Sequence, residues 1–131
     1  MIRKPLILLA FLAAQPVHAN TLYDHEGVNN GLVVAGIVEE IDDQCPSLKV
    51  RVVRGALFLR SLHRLAGDAG FTDEEIEAYV DDREQEAFLR QIAQDWLTER
   101  GAAQGDPETY CAIGREEMAN DTQIGSFLKE D

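Results

Sequence analysis

Cys45 and Cys111 are the residues whose type and number define a chemistry most sharply. In an oxidising compartment two cysteines have a single intramolecular pairing open to them. That bridge closes a loop of about 67 residues, for which chain entropy gives about 4 kcal/mol. Small domains are stable by about 5–15 kcal/mol, so such a bridge can decide whether one folds. The alternatives are two free thiols or metal ligation, and a closed zinc site needs four ligands.

Other residues with chemical potential are sparse. His25 and His63 could join a carboxylate at a metal, but the expected roles are a solvated His25 and a hydrogen-bonded His63 at an apolar edge. In Arg115-Glu116-Glu117, Arg115 is expected to pair with a neighbouring carboxylate while the glutamates face water. The sequence has no glycine-rich phosphate loop, no Gly-x-Ser-x-Gly elbow and no His-Glu-x-x-His helix. It assigns no catalytic residue, cofactor site or metal ligand, and the expectation is a protein that is not an enzyme. An unrecognised active site using Arg115 and nearby acids is the competing possibility.

Lys49, Arg51, Arg54, Arg60 and Arg64 form the one strongly basic run, with no acid between Asp43 and Asp68. They are the candidate interaction surface. Glu74, Glu75, Glu77, Asp81, Asp82, Glu84 and Glu86 follow them, so internal matching is expected first and docking of an acidic partner second. Nucleic acid would need aromatics interleaved with the basic residues, and Phe58 alone qualifies.

The elements that must position these residues come after a leader. Arg3 and Lys4, an apolar stretch from Leu6 to Ala14, and Val17-His18-Ala19 read as a signal peptide cleaved after Ala19. The apolar run is too short to span a bilayer and Gln15-Pro16 interrupts it, so no membrane anchor is expected after cleavage. Asn20 follows the site in place of the cysteine that a lipid anchor requires. The exported domain, residues 20–131, is expected in the periplasm or secreted. Losing Arg3 and Lys4 takes its formal charge from −12 to −14. Such a surface disfavours nucleic acid and anionic lipid as partners.

The domain reads as all-α: four main helices and a short C-terminal helix in one bundle. Asn20 to Asn29 is expected to be loosely held. Val34, Val38, Ile41 and Cys45 recur at helical spacing and imply a central first helix. After Pro46, with Ser47 as candidate cap, a second helix from Leu48 to Ala66 is expected to bury Leu48, Val52, Ala56, Leu59, Leu62 and Ala66. Thr72 and Glu75 spell a capping box, flanked by Phe71 and Ile76 as a hydrophobic staple. The helix they start is expected to reach Arg100. Its stripe shifts from Ile76, Tyr79 and Val80 to Phe88, Ile92 and Trp96, implying a kink near Asp81-Asp82-Arg83 or different neighbours for its halves. Asp106-Pro107 opens the fourth helix, in which Gly114 implies close approach to the first. Ile124, Phe127 and Leu128 dock a last turn.

Asn30-Gly31-Leu32, Cys45-x-Ser47, Phe71-Thr72-x-x-Glu75-Ile76-x-Ala78-Tyr79-Val80, Tyr110-Cys111-Ala112-Ile113-Gly114-Arg115-x-Glu117 and Gln123-Ile124-Gly125 together resemble domain of unknown function 5333. That family comprises small exported proteins of proteobacteria. The likeness implies an exported helical domain with paired cysteines and carries no activity, cofactor or catalytic residue. The leading functional expectation is a non-catalytic interaction module of the cell envelope with a protein partner. The alternative is an inhibitor or immunity-type protein that binds one exported partner.

Overall fold

The computed structural model describes residues 21–131, and the expected leader lies outside them. Helix α1, Glu26–Gln44, is the element on which the others pack: α2 (Val52–Asp68), α4 (Arg83–Glu99), α5 (Pro107–Ala119), the single turn α6 (Gln123–Ser126) and strand β1 (Leu48–Val50) all touch it. Helix α3, Asp73–Val80, bridges α2 and α4, and strand β2 spans Leu128–Glu130. The chain is predominantly helical, as its apolar periodicity implies.

Ile37, Val38 and Ile41 of α1 meet Leu48, Leu97, Ile113 and Leu128 in the main core. Burying each such side chain contributes roughly 1.5–3 kcal/mol. A smaller cluster of Leu22, Val28, Ala66, Ile76 and Tyr79 holds the other end of α1. The disulfide joins Cys45, at the C-cap of α1, to Cys111 in α5, and both residues are fully buried. Gly114 lets α5 approach: a Cβ there would lie 2.5 Å from Leu48 Cδ1 and 3.1 Å from Ile41 Cγ2. The close partner therefore includes β1 as well as the first helix.

Five expectations are corrected. Residues 48–50 are a strand and not the start of the second helix; they pair antiparallel with 128–130, Leu48 opposite Glu130 and Val50 opposite Leu128. With this strand pair the N-cap of α2 moves from Ser47 to Arg51, and Leu128 moves from the last helical turn into β2. The helix expected from Thr72 to Arg100 is two helices. Asp82 ends the continuity because its Oδ1 accepts from the amides of Glu84 and Gln85 and starts α4 afresh.

The third correction concerns α4, which buries Leu89, Ala93 and Leu97 while Phe88 and Ile92 are exposed. Small residues decide this, since a Cβ at Gly36 would touch Ala93 Cβ at 3.4 Å. The fourth is that α2 buries Leu62 and Ala66 and leaves Val52, Ala56 and Leu59 at the surface. Finally, residues 21–29 are held: Leu22 and Val28 are buried, and His25 caps α1 by accepting from Val28 N. Thr72 and Glu75 do form the capping box.

Candidate functional site

Helix α2 carries Arg54, Arg60 and Arg64 of the basic run, with Lys49 in β1 and Arg51 at its N-cap. The turn at Pro46-Ser47 and strand β1 lead into it. Its inner side is fixed by three contacts. Leu62 lies over Gly31, Ala66 enters the smaller core cluster, and the Phe58 ring packs on Phe127 at 4.9 Å between centroids. The remaining circumference faces outward. Val52 is 71% exposed, Val53 75% and Leu57 56%, interleaved with exposed Arg60 and Arg64. A helix apolar all round is ordinarily covered on all sides.

The five basic residues divide into two groups. Arg51 Nε donates to Leu128 O at 3.1 Å and Arg54 Nη1 donates to Ser126 O at 2.9 Å, so both arginines fasten α2 to the C-terminal segment. Lys49 Nζ lies 3.4 Å from Asp42 Oδ1, within ion-pair range but without hydrogen-bond geometry for that oxygen. Arg60 and Arg64 form no ion pair among the described residues. The acidic residues of α3 and α4 do not match the basic run as the sequence implied. One link crosses from α2 to α3, His63 Nε2 to Asp73 Oδ1 at 3.7 Å. The reason is local: Gly70, at a φ of +97°, ends α2, and α3 makes little contact with α2 beyond that turn.

Between α1, α2 and Phe127 runs an apolar groove of about 340 Å³, lined by Ala35, Val38, Val50, Ala56 and Leu59 with Glu39 at its rim. The α2 residues that line it, Val52, Ala56 and Leu59, belong to the face the sequence marks as apolar, whereas Val53 and Leu57 lie outside the groove.

A second feature, not anticipated from the sequence, lies where the N-terminal segment crosses the α3–α4 break. Asn29 Nδ2 donates to the carbonyls of Leu22, Tyr23 and His25. Its Oδ1 accepts from Tyr79 Oη and Gln85 Nε2. Tyr23 Oη donates to Asp82 Oδ2 at 2.6 Å, with the two tyrosine rings edge to face at 5.1 Å. This bond holds the Asp82 carboxyl below its usual range, and the same bond raises the Tyr23 phenol. Burial raises Tyr79. Beside the knot is a cleft of about 420 Å³ lined by Leu32, Gly36, Leu89, Glu39, Glu86 and Arg90. Glu86 and Arg90 pair at 3.0 Å. The knot fastens residues 21–29; its hydroxyls and its Asp82 carboxylate are engaged in hydrogen bonds within it.

The remaining candidates lie apart. Arg115 Nε pairs with Glu130 Oε1 at 3.1 Å, which ties α5 to β2. His25 and His63 serve α1 and α2 separately, and no group of three or more metal-ligating side chains is assembled among the described residues. No described helix is long and apolar enough to cross a membrane.

The chain belongs to a family of unknown function, DUF5333, which it matches over residues 20–129. That span includes every element described above except the end of β2. Neither the curated proteins nor the solved structures contain a match to it.

Proposed function

We propose that the protein is an exported, non-catalytic interaction module that binds a protein partner in the cell envelope through α2. One observation carries this reading: Val52, Val53 and Leu57 are more than half exposed on a helix whose charged side chains, up to Asp68, are all positive. Exposed apolar surface interrupted by arginine is the composition of protein interfaces. An anionic membrane is a poorer fit, because the domain from residue 20 onward carries a formal charge of −14 once the two positive charges of the leader are subtracted from −12. Export is supported by the leader sequence and by a buried disulfide, which persists in oxidising compartments.

The test is photocrosslinking in the native cell from position 57, with position 116 on the exposed side of α5 as control. A protein adduct formed from position 57 and absent from position 116 is the expected result. Equal labelling from both positions would remove α2 as the binding surface. A single tight, salt-sensitive adduct would identify the inhibitor or immunity-type variant of this role.

A further inference from the structure

Resting on the reading of α2 as a docking surface, we propose that its occupant is a second copy of this chain, which presents the outer side of α4. That side has the complementary composition. Phe88 is 59% exposed and Ile92 39%, and Glu84, Asp95 and Glu99 surround them at helical spacing, all exposed. Exposed apolar residues bordered by carboxylates thus line a shallow cleft of α4 beside Tyr23 and Val33, while exposed apolar residues bordered by arginines lie on α2. Helices α2 and α4 both pack on α1, and among the described residues no ion pair joins the arginines of one to the carboxylates of the other, so within one molecule the pair is unsatisfied.

The contact therefore joins unlike surfaces, the α2 of one copy on the α4 of another, either head to tail or reciprocally across a two-fold axis. A two-fold contact of α2 on α2 would set Arg60 and Arg64 against their own equivalents and is disfavoured. The negative charge of each copy opposes approach, so association is weak and depends on concentration.

Sedimentation velocity of the purified, disulfide-bonded protein over a wide concentration range tests this. The wild type should show a mass that climbs beyond the monomer. Arg60→Glu with Arg64→Glu should weaken association about tenfold or more, as should Asp95→Lys with Glu99→Lys. The decisive sample is a mixture of these two double variants. One keeps an intact α4 surface and the other an intact α2 surface, and the two reversed surfaces are again opposite in charge, so the mixture should recover the association that each variant alone has lost. Unchanged melting temperatures and the absence of free thiols show that the variants are folded. If a charge reversal unfolds the protein, Leu57→Ser and Phe88→Ser replace it.

A monomer at every concentration, association that survives both reversals, or a mixture that stays monomeric would overturn the inference. So would a monomeric wild type that binds vesicles of anionic phospholipid. A monomer whose position 57 crosslinks to a different protein would overturn the second copy as occupant and leave the proposed function standing. A monomer with no crosslink at all would sink both.

Discussion

Gly114 is one of the residues at which the packing has no room for a side chain. The nearest atom to an added Cβ is Leu48 Cδ1 at 2.5 Å, and Leu48 has no exposed surface into which to retreat. Gly114→Ala gains helix propensity of about 1 kcal/mol, yet overpacking costs about 1–3 kcal/mol, so the packing penalty is expected to win. The variant should melt several degrees lower by calorimetry, and an unchanged midpoint would mean that α5 can slide away from β1. The Tyr23–Asp82 bond gives a pH dependence with a definite sign. Its carboxyl is lowered in the folded state from 3.8 and its phenol raised from 10.0. A lowered acid contributes stability that is present above its unfolded pKa and lost as pH falls through the folded one. A raised phenol contributes stability that is present below its unfolded pKa and lost as pH rises through the folded one. Tyr23→Phe should therefore lower the melting temperature by a constant amount across the neutral range. The difference from wild type should shrink in acid below pH 3.8 and again in alkali above pH 10.0. A difference that stayed the same in acid would show that the bond does not depend on the ionised carboxylate.

Helix α2 inverts the usual relation between exposure and residue type, and stability measurements can separate its two sides. Leu62 is buried over Gly31, so Leu62→Ala should cost about 2–5 kcal/mol. Val53→Ser and Leu57→Ser on the outer side should change stability by about 0.5 kcal/mol or less in the isolated protein. A large loss from either serine would place that side in a core. These elements also show what a sequence can disclose. The capping box at Thr72 was legible because its signal is contained within four residues, and the bond pattern is the expected one. The pairing of Cys45 with Cys111 was legible by elimination. The strands were not, since Leu48–Val50 and Leu128–Glu130 are too short for periodicity to register and lie far apart in the chain. The buried stripe of α4 was misassigned because Phe88 and Leu89 begin two stripes one residue apart. The choice between them depends on Gly36 and Ala93, which belong to different elements. For the candidate site, the basic run and the doubly apolar pattern of α2 could be read directly. That Arg51 and Arg54 are used up on the carbonyls of Leu128 and Ser126 follows from the strand pairing and was hidden with it.

At the scale of the molecule, one covalent link and one short strand pair hold the far ends of the chain on α1. Replacing Cys45 and Cys111 together by alanine removes a bridge between residues 66 apart and should cost about 4 kcal/mol. Urea unfolding should report the loss, and a midpoint unchanged from wild type would show that the core and the strand pair suffice without the bridge. A thiol assay should find no free cysteine in the native protein; two would contradict the bridge. The β1–β2 pair has a further consequence, for the order in which the molecule is made. A growing chain completes α1 and β1 roughly eighty residues before β2 exists, and closing so long a loop is slow. Throughout that interval Leu48 lacks Leu128, the Arg51 amide lacks the Phe127 carbonyl, and Cys45 waits for Cys111. Synthesis from the first residue onward therefore leaves the domain open until its final elements arrive, a state in which a chain can still be threaded through a narrow pore.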